Sequence, residues 1–140
     1  MKFLLILSIL IISLQVTAQS SDEKQVRKLL YDQNKAWNRG DLENFMTGYW
    51  ESDSLMFIGK NGVTYGWKNT LNNYKKNYPD TVAMGKLIFS FITMKRLSFQ
   101  YFHVVGKWHL DRTIGNASGA FTLLLKKIKN RWVIIADHSS

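Results

Sequence analysis

From Phe3 to Leu14 the chain is almost unbroken apolar, with only Ser8 and Ser13 interrupting. Met1-Lys2 precedes this run, and Val16-Thr17-Ala18 supplies small or β-branched residues behind it. A charged start, a short apolar run and a small-residue cleavage site predict a secretory signal peptide over residues 1–18. The run falls short of the roughly 20 apolar residues of a membrane span. The pattern then changes. Val26, Leu29, Leu30, Ala36 and Trp37 recur at helical spacing, which predicts an amphipathic helix over 21–38. Ser21 is the expected N-cap, and Asp22 and Glu23 place negative charge in the first turn. Gly40 stops this helix, and Asp41 caps a shorter one through Leu42, Phe45 and Met46.

Short strand-like runs follow at 54–58 and 63–65, separated by the turn signal Lys60-Asn61-Gly62. Residues 66–78 read as a third helix, with Trp67, Leu71, Tyr74 and Tyr78 forming a core stripe. Everything after Thr81 reads as sheet, in four long runs at 82–95, 98–111, 117–129 and 131–138. Their short separators predict antiparallel neighbours. Val133-Ile134-Ile135 is apolar on both faces and predicts a central strand. Helices followed by antiparallel strands give an α+β fold: a curved, cone-shaped antiparallel sheet packed on a long N-terminal helix plus two shorter helices, with a pocket at its mouth.

Composition narrows the function classes. The part after the signal, residues 19–140, is about 120 residues, the size of one domain. The chain has no cysteine, which excludes disulfides and thiolate metal sites. Aromatic residues make up 14%, more than a minimal core needs, so some are expected to line a cavity or an interface. The formal charge is +9, spread along the chain, with its densest cluster at Lys126, Lys127, Lys129 and Arg131. That balance permits a polyanion-binding or scaffold role. An exported chain is not expected to meet nucleic acid, and no membrane span remains after signal cleavage.

Several stretches resemble the nuclear transport factor two-like superfamily, in its SnoaL-like and ketosteroid-isomerase-like exported bacterial branch. They are Ala36-Trp37-Asn38-Arg39-Gly40-Asp41-Leu42, Tyr49-Trp50 before Asp53-Ser54-Leu55, Tyr65-Gly66-Trp67, Gly106-Lys107-Trp108-His109-Leu110, Gly119-Ala120-Phe121-Thr122-Leu123, and the segment from Arg131 to Ser140. The resemblance covers residues 19–140. It implies a homodimer, no cofactor, and a fold that hosts isomerases, cyclases, dehydratases and adaptors. It also implies a carboxylate base near Ile58 and a tyrosine donor near Gln33. Neither residue can do that work, which argues against classical steroid isomerisation in this register.

The candidate site follows from residue chemistry. Trp37, Tyr49, Tyr65 and Trp108 are candidate pocket walls, as amphipathic rings that offer apolar faces and polar tips. His109 and His138 are candidate polar groups, with His138 the candidate acid or base. Asp137 and His138 are adjacent in a strand and so point to opposite faces. His103 and His109 lie roughly 20 Å apart along one strand, too far to share a metal, and no metal motif is present. The leading expectation is an exported homodimeric domain, periplasmic or secreted, that holds a small apolar or aromatic ligand. The alternatives are a cofactor-independent isomerase, cyclase or dehydratase in the same pocket, and a polyanion binder.

Overall fold

The computed structural model describes residues 21–140; the signal-peptide reading lies outside them. Helix α1 occupies 21–38 of the described chain. It buries Asp22, Val26, Leu30, Gln33 and Trp37, a stripe at spacings of three and four. Its exposed face carries the Arg27–Glu23 and Lys28–Asp32 pairs, each one turn apart. Ser21 is already helical rather than the cap.

At the other end the helix closes in a Schellman turn. The Asp41 amide donates to Ala36 O (2.9 Å) and the Gly40 amide to Trp37 O (2.8 Å). Gly40 sits at φ 78°, a left-handed conformation that a side chain would strain. Asp41 then accepts from the Asn44 amide at 3.0 Å and caps α2 (Leu42–Met46).

A hairpin follows, β1 (Met56–Gly59) and β2 (Gly62–Tyr65), and then α3 (Trp67–Asn77). Residues 82–84, expected to open the sheet, instead belong to a short helix, α4 (Thr81–Met84). Asp80 explains the difference, because its side chain accepts from the Ala83 amide at 2.8 Å and so starts a turn where alternation suggested a strand. The fold therefore carries three short helices rather than two. The long strands are β3 (Lys86–Arg96), β4 (Tyr101–Asp111), β5 (Ala117–Ile128) and β6 (Arg131–Ser139).

The six strands form one curved, unclosed sheet in the order β2-β1-β6-β5-β4-β3. β3 to β6 are antiparallel neighbours, whereas β1 runs parallel to β6, so the sheet is not wholly antiparallel. The parallel pairing begins before β1, where the Ile134 amide donates to Gly48 O and the Trp50 amide to Ile134 O, each at 2.9 Å. Flanked by β5 and β1, β6 is an interior strand, which is why Val133 and Ile134 are both buried.

Two register shifts shape the sheet. Phe91 and Thr93 bracket one against β4, leaving Ile92 unpaired. On β6, Ile134 faces Leu125 and Ala136 faces Leu124, leaving Ile135 as the extra residue. Such a bulge resets which residues face inward. Helix α1 lies across the inner face and is fastened at its end by Asn38, which accepts from the Leu87 amide (2.7 Å) and donates to Leu87 O (3.1 Å).

Candidate functional site

The concave sheet, α1 and α3 enclose a cavity of about 550 Å³, within the size range of small-molecule sites. Its sheet wall is made of Trp108 and Leu110 on β4, Phe121 and Leu123 on β5, and Asp137 and Ser139 on β6. Across from these stand Leu30, Gln33 and Trp37 of α1, Phe45 of α2, Tyr74 of α3, and Tyr78 just past the end of α3. The helical rings hold one another in edge-to-face contacts. Trp37 meets Phe45 at 5.2 Å, Tyr78 at 4.9 Å and Tyr74 at 5.9 Å between ring centroids. Such contacts add to burial and fix ring orientation.

One end of this apolar space is polar. Asp137, 4% exposed, takes a hydrogen bond from Tyr49 Oη to its Oδ2 at 2.7 Å and one from Ser139 Oγ to its Oδ1 at 2.8 Å. Tyr49 Oη lies 3.4 Å from Tyr74 Oη, which extends the chain to a second phenol. Burial raises the Asp137 carboxyl to about 6, against the opposing effects of the Tyr49 and Ser139 hydrogen bonds and the neighbouring His138. Burial first, and the Asp137 charge second, push both Tyr49 and Tyr74 well above the ordinary phenol value. Both tyrosines therefore stay protonated donors at neutral pH, while Asp137 changes charge just below it. Asp137 keeps unused acceptor capacity beyond its two bonds.

Trp37, Tyr49 and Trp108 of the sequence candidates line this cavity together. Tyr65 sits on the sheet-edge strand β2, 60% exposed, and His109 faces an outer groove with Ile88, Ser90 and Lys107. His138 is exposed on the outer face of β6, opposite Thr122, while Asp137 faces inward opposite Leu123. The bulge at Ile135 decides this. Unbroken alternation from Trp132 and Ile134 would carry His138 inward, and the extra residue brings Asp137 inward instead. Tyr74 also belongs to the cavity, although its stripe reads as plain core. The aromatic tip one turn before Tyr78 was the only sequence signal for it.

Two members of the basic cluster, Lys127 and Arg131, are engaged in structure. Lys127 and Arg96 flank the buried Asp22 carboxylate, at 2.9 and 3.1 Å, and Trp132 Nε1 donates to it at 3.2 Å. Arg131 donates to Thr47 O at 2.6 Å. Lys129 and Asn130 form the β5–β6 turn, both at positive φ. Among the described residues no three His, Asp or Glu side chains gather as metal ligands, and no helix is long and apolar enough to cross a membrane.

Similar folds occur among solved structures. An NTF-2 like protein of unknown function from Shewanella oneidensis MR-1 shares 46% identity over 86% of this chain and 98% of its own, with a TM-score of 0.80. A ketosteroid isomerase-like protein from Erwinia carotovora atroseptica SCRI1043 shares 15% identity over 84% of this chain and 93% of its own, at 0.64. An NTF2-like protein of unknown function from Pseudomonas putida KT2440 shares 12% identity over 86% and 87%, at 0.69. The last two likenesses are of fold. No family model and no curated protein matches the chain.

Proposed function

The chain belongs to the NTF2-like superfamily, and on that premise we propose that it is a small-molecule-binding domain whose cavity seats an apolar or aromatic ligand with an oxygen-bearing group against Asp137 and Tyr49. The single observation that carries this reading is the Asp137–Tyr49 hydrogen bond at the end of an aromatic-walled cavity. Ring burial would supply the affinity, at roughly 25 cal/mol per Å² of apolar surface removed from water. The carboxylate and phenol would fix orientation. The signal-like residues 1–18 support an exported protein, periplasmic or secreted. Exposed Ile88 and Ile92 on the outer side of the sheet support a homodimer. Calorimetric titration with 4-hydroxybiphenyl tests the pocket: one molecule binds per chain, and Asp137→Asn weakens it. Binding that is absent, or indifferent to Asp137, refutes the reading.

The same geometry favours a second reading, cofactor-independent proton transfer. A carboxylate whose pKa is about 6 is poised as a base near neutrality. In this scheme Asp137 takes a proton from the carbon beside a ligand carbonyl, and becomes a carboxylic acid. A tyrosine O–H stabilises the enolate oxygen, and Asp137 returns the proton to carbon. The base is Asp137 rather than His138, because Asp137 shares the cavity with the phenols. Deuterium exchange at the α-carbons of 2-tetralone in D₂O measures this step. Acceleration lost in Asp137→Asn supports it, and exchange at the buffer rate removes it.

A further inference from the structure

The turn joining β3 to β4 presents its two large apolar side chains to water. Leu97 is 53% exposed and Phe99 69%, and neither packs into the core. The turn is nonetheless tightly built. The Leu97 and Ser98 amides donate to Tyr101 O at 2.9 and 3.2 Å, and Ser98 Oγ accepts from the Gln100 and Tyr101 amides at 3.2 Å each. The Lys127 amide donates to Gln100 O at 2.8 Å and ties the turn to the end of β5. Hydrogen bonds thus hold a leucine and a phenylalanine out in solvent.

Positive charge gathers around the same turn. From Lys86 to Ala136 the chain carries nine Lys and Arg side chains and one acidic one, Asp111, which sits at the end of β4 away from Tyr101. Lys95 precedes the turn, Lys126 Nζ lies 5.6 Å from the Tyr101 ring centroid, and Lys129 occupies the neighbouring β5–β6 turn. None of these three lysines pairs with a carboxylate among the described residues. Asp22, at this end of α1, is already shared by Arg96 and Lys127, and Glu23 pairs with Arg27. Unpaired cations around two exposed apolar side chains match a surface that is anionic outside and apolar within. We propose that this end of the sheet docks reversibly on an anionic lipid bilayer, with Leu97 and Phe99 entering the interface and Lys95, Lys126 and Lys129 against the headgroups. A soluble polyanion would engage the cations and leave the apolar pair in water. Docking leaves the cavity open, because the cavity-lining turn Lys60–Gly62 lies beyond the far end of β6, roughly 25 Å along that strand from Arg131. The inference is independent of what the cavity holds.

The test is co-sedimentation of the processed protein, purified from an exporting host, with two kinds of vesicle: phosphatidylcholine alone, and equal parts phosphatidylcholine and phosphatidylglycerol. The protein binds the mixed vesicles and not the neutral ones, and added salt weakens binding. Leu97→Ser combined with Phe99→Ser lowers affinity about tenfold or more. Lys95→Gln combined with Lys129→Gln lowers it by about tenfold. A second measurement uses the wild type on bicelles of the mixed lipids with a spin-labelled lipid added. Amide NMR signals of Leu97–Gln100 and Lys129–Asn130 broaden, and those of Lys60–Gly62 do not; this decides alone should a variant fail to fold. No binding to the mixed vesicles, or broadening centred elsewhere, overturns the inference. Heparin capture together with vesicle binding that ignores the Leu97 and Phe99 changes overturns it in favour of a polyanion site. Conversion of a dimer to a monomer by those two changes overturns it in favour of a contact between copies of the chain.

Discussion

Tyr49 and Asp137 lie 88 positions apart in sequence and meet inside the cavity with their oxygens 2.7 Å apart. Tyr49 reaches this point because its backbone bridges to Ile134 on β6, the strand that also carries Asp137. One strand thus fixes both partners, and the bulge at Ile135 sets their common face.

Asp137→Asn should stabilise the protein in mild alkali. The folded carboxyl titrates near 6 and the unfolded one near 3.8. Its contribution to stability is therefore full below the unfolded value and is lost as pH rises through the folded one. The wild type carries the cost of a buried charge above pH 6, on the order of 2–3 kcal/mol. Denaturant unfolding at pH 8 should place Asp137→Asn above the wild type by up to that amount, with the gap closing by pH 4.

Tyr49→Phe removes a donor that favours the charged form of Asp137. The carboxyl should then titrate above its wild-type value, which ¹³C NMR of the labelled side chain reads directly. The variant should also lose about 1–2 kcal/mol at pH 8, where the carboxylate is left with one fewer hydrogen bond.

Asp22→Ala tests the closed side of the fold independently of the cavity. Burial pushes the Asp22 carboxyl up, but the hydrogen bonds from Lys127 and Trp132 and the charges of Lys127 and Arg96 outweigh it and leave it below its ordinary value. Its contribution is present above the unfolded pKa and is lost as pH falls through the folded one. Removing it strands two partly buried cations and an indole N–H, at a cost of about 3 kcal/mol at pH 7. Thermal unfolding should show that loss shrinking in acid, and 4-hydroxybiphenyl affinity should hold wherever the variant is folded.

Much of this fold is legible in the sequence because local rules decide it. The α1 stripe, the Gly40–Asp41 turn and the interior position of β6 follow from spacing, φ preference and apolar runs. What escapes is non-local or local by a single residue. The parallel pairing of β1 with β6 joins segments far apart in the chain. Asp80 converts the start of an apparent strand into α4 with one side-chain hydrogen bond. The site suffers most from such an event, since Ile135 looks like any other apolar strand residue, yet its bulge exchanges His138 for Asp137 on the inner face. Trp37, Tyr49 and Trp108 were readable as amphipathic rings. The pairing of Tyr49 with Tyr74 needed the packing of α3.

The pH dependence of 4-hydroxybiphenyl binding to the wild type and Asp137→Asn tests the central claim most directly. A phenol donating to the Asp137 carboxylate binds the charged form better. Wild-type affinity should fall as pH drops through about 6, and Asp137→Asn should bind more weakly with no such step. Wild-type affinity that is flat across this range and equal to that of Asp137→Asn would contradict the assignment of this cavity, with Asp137 at its polar end, as the functional site.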